Sequence, residues 1–423
     1  MASACPFHVD LTAPEVQEDW YPVYDRLREL APVYRVPETG EYLLTRYEDI
    51  RAVLADPEAF PNHWTASTDF RLIRSPRAHQ IYLDRGWERY APLSSNPPVH
   101  RYYRRPVDKW FNWSGAKQAA PLIRRIVDEL IDSWIDRGRV EFVSEFADTL
   151  PIRVITHLIG LDEDDIPQLK EWSAAWARPF ARNLTEEQEI DVAEQGVAFQ
   201  HYIYEHLQER RRNPREDFLS YLAQASFEGD PAGPRPLTDA EIVNSIDHLF
   251  IGGNETTTYA LTSGLWMLIQ QPEVEQRLRA DRDLLPTFIN ENMRLESPTQ
   301  GLWRGVARDT TIGGVDIPAG ATLHLRYAAG NRDPRAFTDP TELQLDRRNA
   351  GQHIAFAAGA HRCPGEGLSK LEQQIAFERL FDRLTDLGFV PGANDFRHHP
   401  GFVLRALKEL HVQFTPADQE VSV

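Results

Sequence analysis

The 423-residue chain has only two cysteines, Cys5 and Cys363, and three methionines. Two thiols so far apart, one of them near the N-terminus, exclude a disulfide framework and fit a reducing compartment. Positive charge is also scarce: 46 Lys and Arg stand against 64 Asp and Glu, a formal net charge of -18. A chain of that sign has no general attraction for nucleic acid or an anionic membrane surface, so neither is expected as a partner. No run approaches the ~20 apolar residues of a membrane helix. Residues 1–10 lack the basic segment and apolar stretch of a secretory signal. The expectation is a cytoplasmic monomer. Proline and glycine are scattered along the chain, so no linker or tandem repeat marks a second module.

What is present is a 42% apolar fraction, enough for a large core. Periodicity predicts a short amphipathic helix over 20–30 and a hairpin from 33–36 and 41–45. Residues 60–98, rich in Pro, Arg and aromatics without a period, read as a long irregular loop. Helical patterning runs from about Val99 to Gln271, with breaks expected at Pro151, Gly160, Pro214 and 231–236. Short strands follow Arg304, a last helix is expected from about Gly367 to Leu387, and a terminal hairpin ends near Phe414. The fold class is mainly α with small β-sheets. One domain covers 20–423, and residues 1–19 read as a mobile extension.

Two stretches carry chemistry. Residues 356–365, FAAGAHRCPG, place Cys363 between small flexible residues just before an amphipathic helix. Backbone N–H groups and the helix dipole there favour thiolate over thiol. A thiolate so placed suits a haem iron, although Cys363 alone reads equally as a small buried side chain. The second stretch runs from Thr238 to Pro272, with a capping box at its start and a proline at its stop. In its middle Gly252, Gly253 and three threonines weaken the helix. Mid-helix glycines also serve close packing, but an acid beside an alcohol, Glu255 and Thr256, suits proton transfer next to a bulged helix.

The cysteine segment resembles the haem-binding loop of cytochromes P450, Phe-x-x-Gly-x-His/Arg-x-Cys-x-Gly, with every fixed position matched. Ala357 departs from a usual glycine and Ser369 from a usual alanine. The stretch 252–256 resembles the family's oxygen-binding motif. Glu291 and Arg294 match its Glu-x-x-Arg, with Arg347 as the third member of a structural triad. His100 and Arg104, after Pro97-Pro98, resemble its propionate-binding helix start, and Arg304 its other propionate arginine.

The resemblance implies the P450 fold and haem b (iron protoporphyrin IX) with Cys363 as the iron ligand. Gly252 and Gly253 then face the haem, while His100, Arg104, Arg304 and His361 bind propionates. Glu255 and Thr256 deliver protons. The activity implied is monooxygenation with O2: insertion of one oxygen atom into a small hydrophobic substrate, aromatic or carboxylate-bearing, by hydroxylation or O-dealkylation. Electrons come from a separate ferredoxin or flavodoxin with its reductase, docking near Arg101, Arg105, Lys109 and Arg362. Pocket walls are expected from the 60–98 loop, with Trp64, Phe70, Arg71, Arg74, Arg77, Tyr82, Arg85, Trp87 and Tyr90. Further wall residues are His248, Ile251, Gln300, Leu302, Trp303 and Leu404. A peroxide-driven peroxygenase and a haem-containing recruitment protein without turnover are the alternatives.

Overall fold

A computed structural model describes residues 9–11, 13–62, 73–89 and 92–417. The helices that matter here are α1 (Tyr21–Leu30), α2 (Pro76–Arg85), α3 (His100–Phe111), α4 (Thr149–Ile159), α5 (Ile166–Ala177), α6 (Glu186–Arg212), α7 (Asp239–Gln270), α8 (Leu285–Glu296) and α9 (Glu366–Arg383). A four-stranded sheet pairs Val33–Arg35 with Tyr42–Leu44 antiparallel, then Thr322–Leu325 parallel to the second of these, then Leu302–Gly305 at the edge. A three-stranded sheet joins Leu384–Phe389, His411–Pro416 and Arg139–Glu141. No helix among the described residues is long and apolar enough to cross a membrane.

The core forms around α7, which is contacted by α4, α5, α6, α8 and α9. Thirty-two residues at 1.5 Å each make α7 about 48 Å long. Its capping box is made: the Thr238 hydroxyl accepts from Glu241 N at 3.2 Å, and Glu241 accepts from Thr238 N at 2.7 Å. The helix runs through Gly252 and Gly253 as unbroken α-helix, so the expected bulge is absent; packing of the rest of α7 against its neighbouring helices offsets the weak local propensity.

Other boundaries also differ from expectation. The presumed loop over 60–98 contains α2, started by Ser75, whose hydroxyl accepts from Ala78 N, with Pro76 at the first helical position. The break expected at Pro151 falls earlier, at Asp148; Pro151 occupies the first turn of α4, where its missing N–H is unneeded. The last helix ends at Arg383, and Leu384 to Phe389 instead pair as a strand. Within 1–19, Val9 and Leu11 are buried with Trp20, Tyr24 and Phe402; residues 1–8 and 12 lie outside the described residues. Trp20 Nε1 donates to Gly401 O at 2.9 Å, and Arg405 Nη1 to Glu18 O at 3.0 Å.

Candidate haem and oxygen site

Cys363 stands three residues before α9, its N–H donating to Phe356 O at 2.9 Å and closing the loop. Gly359 in this loop has φ +70°, and a Cβ there would lie 2.3 Å from Leu54 O, so only glycine fits. Ala357 has φ +57° with an ordinary side chain, which stores roughly 1–2 kcal/mol of strain. Ala357→Gly relieves that strain and returns part of it as unfolded-state entropy. Stability should rise by roughly 0.5–1 kcal/mol, read as a shifted guanidinium midpoint with unchanged slope. A lower midpoint contradicts it.

A cavity of about 270 Å³ opens above Cys363. One wall is α7, through His248, Leu249, Gly252, Gly253, Thr256 and Thr257. At Gly252 an added Cβ would meet nothing within 4 Å, and at Gly253 only Ile155 at 3.4 Å, so both present bare backbone. The opposite wall is Phe356, Ala357, His361, Cys363 and Leu368. A second hollow, of about 490 Å³, reaches Cys363 from the side of Asn112, Trp113, Arg362 and Lys370.

At one edge of the cavity lies a cluster of donors. The rings of His100 and His361 are 4.2 Å apart, and each has a buried Nε2 without a partner. Asn62 Nδ2 donates to His361 Nδ1 at 3.1 Å. Burial, with Arg104, lowers His100 to about 4; burial, with His100 and Arg304, lowers His361 to about 3. Both imidazoles are therefore neutral near pH 7. Arg304 is 5% exposed and donates to Trp303 O at 2.7 Å. No carboxylate among the described residues pairs with it. Arg104 also borders the cavity and binds Asp108 at 2.5 Å. Orphaned donors of this kind require a partner. A flat apolar body with two acidic arms, the description of a haem with its propionates, supplies it.

The thiol itself departs from expectation. Burial pushes Cys363 up, and hydrogen bonds from the N–H groups of Gly365 and Glu366, with Arg104, only partly oppose this. The helix start alone therefore does not make the thiolate. A coordinated cation would, by displacing the proton.

The acid and alcohol of α7 do not touch each other. Thr256 borders the cavity and donates from Oγ1 to Gly252 O at 3.0 Å. Glu255, a third of a turn away, points to α5, where Ser173 donates to Oε1 at 3.2 Å and Tyr259 donates to Oε2. Burial raises its carboxyl above the usual range against those bonds and the nearby Lys170. Lys170 is itself paired with Asp148 at 2.7 Å, both partly exposed.

The predicted triad meets: Arg294 Nε and Arg347 Nε lie 2.7 and 2.9 Å from the two oxygens of Glu291, all three buried. Both guanidinium groups also donate to main-chain carbonyls between Asn331 and Glu342.

The pocket expectations fare unevenly. His248 and Leu302 border the cavity. Trp303 does not, because side chains alternate along Leu302–Gly305; it packs on Phe402 and His324 while Leu302 and Arg304 face the cavity. Ile251 is turned into the helical core. Gln300 is held inside by Tyr24 and the carbonyls of Glu296 and Ser297, and Leu404 bridges to Thr299. Arg77 and Arg85 pair with Glu186 and Glu194 of α6, against which Tyr82 and Trp87 also pack. Arg74 gives its backbone N–H to Glu189. Trp64, Phe70, Arg71 and Tyr90 lie outside the described residues. Of the expected docking cations, Arg105 pairs with Glu228 and Arg362 with Glu366, while Lys109 lies over Tyr221 and Arg101 over Tyr102.

Sequence reasoning missed three cavity residues. Asn62 holds His361, Tyr327 lies near Arg304, and Glu372 is 1% exposed with Oε2 unpartnered. Burial alone drives the Glu372 carboxyl well above its ordinary value. Beside it Thr257 donates to Ser369 Oγ at 3.1 Å, so the serine at this position ties α7 to α9.

A family model described as "Cytochrome P450" matches residues 153–386. The chain is 32% identical over 420 residues to the cytochrome P450 monooxygenase PikC of Streptomyces venezuelae, covering 97% of this chain and 95% of that one. It is also 32% identical over 405 residues to the biotin biosynthesis cytochrome P450 of Bacillus subtilis, covering 93% and 96%. Among solved structures, cytochrome P450 CREJ in complex with (4-ethylphenyl) dihydrogen phosphate superposes with a TM-score of 0.86 at 28% identity, covering 94% and 98%.

Proposed function

Because the chain belongs to the cytochrome P450 family, and with it to the haem-dependent monooxygenases, we propose that Cys363 is the iron ligand and that the cavity above it holds a hydrophobic organic substrate with one polar handle. The observation that carries this is the cavity itself: a cysteine on one wall, bare helix backbone on the other, and orphaned donors at the edge. When bound, the haem supplies the activation of O2 that inserts one oxygen atom into the substrate and releases the other as water.

The chain's own residues do the rest. His100, Arg104, Arg304 and His361 donate to the propionates and fix the orientation of the group. Ile155, Leu249 and Leu302 keep the substrate region dry. Thr256 holds a proton at Oγ1 on the cavity wall. Glu255, whose carboxyl burial raises above its ordinary range, passes protons toward it through water from the side of Lys170 and Asp148, both partly exposed. The triad Glu291, Arg294 and Arg347 braces the segment leading to the cysteine loop.

The substrate is aromatic or carboxylate-bearing and is hydroxylated or O-dealkylated. CREJ, whose complex holds an aryl phosphate, sets a precedent for an aromatic body with an acidic end. Electrons arrive from a separate ferredoxin or flavodoxin docked over the hollow beside Trp113, Arg362 and Lys370.

Reconstitution with a ferredoxin, its reductase, NADH and ¹⁸O2 tests the reading, with wild type and Thr256→Ala side by side. Wild type should place one labelled atom in product. The variant should bind substrate as before and form about 100-fold less product, the lower end of what a positioned proton donor contributes. Equal yields from the two remove Thr256 from proton delivery. Turnover with hydrogen peroxide but none with ferredoxin replaces the reading by a peroxygenase.

A further inference from the structure

One group on the cavity wall has no task in proton delivery or haem binding. His248 lies one helical turn before Gly252, about 6 Å along α7, and borders the same cavity. Its Nδ1 is buried and carries no hydrogen bond. The ring is set by Trp176 of α5, which stacks on it at 6.4 Å between centroids and 20° between planes. Trp176 is set in turn, its Nε1 donating to Asp247 Oδ2 at 3.2 Å. Over the same indole, 4.4 Å from its centroid, lies the guanidinium of Arg89, whose Nη2 is likewise buried without an acceptor.

Burial, with the charge of Arg89, lowers His248 to about 4, so the ring is a neutral imidazole near pH 7. A neutral imidazole has one donor and one acceptor nitrogen. Arg89 offers only donors and its charge disfavours a protonated ring, so the imidazole meets a substrate acceptor with the N–H of whichever nitrogen faces the cavity. Asp247, raised to about 6 by burial, is occupied with Trp176 and holds the platform in place.

We propose that His248, backed by Arg89 across the shared Trp176, is the polar anchor for substrate: an N–H donor that selects molecules bearing an acceptor oxygen at the end remote from Cys363. The acceptor is a carboxylate or a carbonyl, separated from the carbon to be oxidised by about one helical turn or more, roughly 6 Å. An aliphatic or aromatic body fills the stretch between them along Leu249, Ile155 and Leu302. This deepens the reading of the cavity as a substrate site and depends on it.

The test uses haem-loaded protein and three probes with one alkyl body: dodecanoic acid, methyl dodecanoate and dodecane. Dissociation constants come from calorimetry and from the spin-state difference spectrum. In wild type the acid and the ester should bind at least about 10-fold more tightly than dodecane. His248→Phe keeps the stack on Trp176 and removes the donor, so it should erase that advantage while leaving dodecane binding unchanged. His248→Gln, which retains an N–H, should restore part of it. Arg89→Gln separates the two acceptors: loss of the acid's margin over the ester identifies a carboxylate, and equal binding of both identifies a neutral carbonyl. An acceptor advantage that persists in His248→Phe overturns the proposal, as does dodecane binding as well as the acid in wild type. If none of the three probes binds, both the anchor and the underlying reading of the cavity are overturned. Dodecane binding without an acceptor advantage overturns the anchor alone.

Discussion

Cys363→Ser in haem-loaded protein should abolish the red-shifted Soret band of the ferrous–CO complex and lower turnover on the order of 10³-fold, about 4 kcal/mol of barrier. Cys363 is the thiol that both the cavity and the outer hollow reach. A serine hydroxyl is harder and far less acidic, so it cannot replace a thiolate as a donor of electron density to iron. Other groups able to ligate a metal near the cavity are His100, His248, His361 and Glu372, none of them a thiol. A variant that keeps the red-shifted band places the ligand elsewhere. The band is a property of the iron's surroundings, so it reads the ligand independently of substrate, partner and rate.

Glu291→Ala should cost about 3–5 kcal/mol, the typical result of leaving a buried ion pair half made. Here one carboxylate serves two guanidinium groups, and all three residues are below a tenth exposed. Removing it leaves Arg294 and Arg347 facing each other with only main-chain carbonyls for company. The matched control is Arg85→Ala. Its pair with Glu194 is half exposed on both sides and should change stability by less than about 0.5 kcal/mol. Denaturant midpoints measure both, and haem retention after gel filtration shows whether the cysteine loop survives. Similar midpoints for the two variants contradict the buried triad as a brace.

How legible this was in the sequence depended on how many residues spoke together. Cys363 is ambiguous alone, but Phe356, Gly359, His361 and Gly365 around it define one loop. Glu291 and Arg294 are an ordinary i, i+3 pair until Arg347 joins them. Glu372, Asn62 and Tyr327 are single polar residues whose meaning is burial beside a cavity, and nothing in a linear chain marks that. The misreadings have the same origin. Trp303 and Gln300 sit in the right segment but on the wrong side of it, since strand alternation and a helix end decide which way each turns. The start of α2 at Ser75 and Pro76 lies in an arginine-rich stretch with no clear period, which hides it in the sequence. Leu384 and Leu387 continue the apolar pattern of α9, and only pairing with His411–Pro416 makes them strand.

The bonds from Trp20 to Gly401 and from Arg405 to Glu18 span 381 and 387 residues of chain. On a ribosome moving at 5–20 residues per second, Trp20 waits about 20–80 s for its partner to be made. During that time the aromatic cluster of Trp20, Tyr21 and Tyr24 lacks Phe402 and Val403 to cover it. The segment around Trp20 is thus synthesised well before the residues that cover it, and it closes late. A chain halted before Gly401 should be aggregation-prone even though the helices around α7 are already complete.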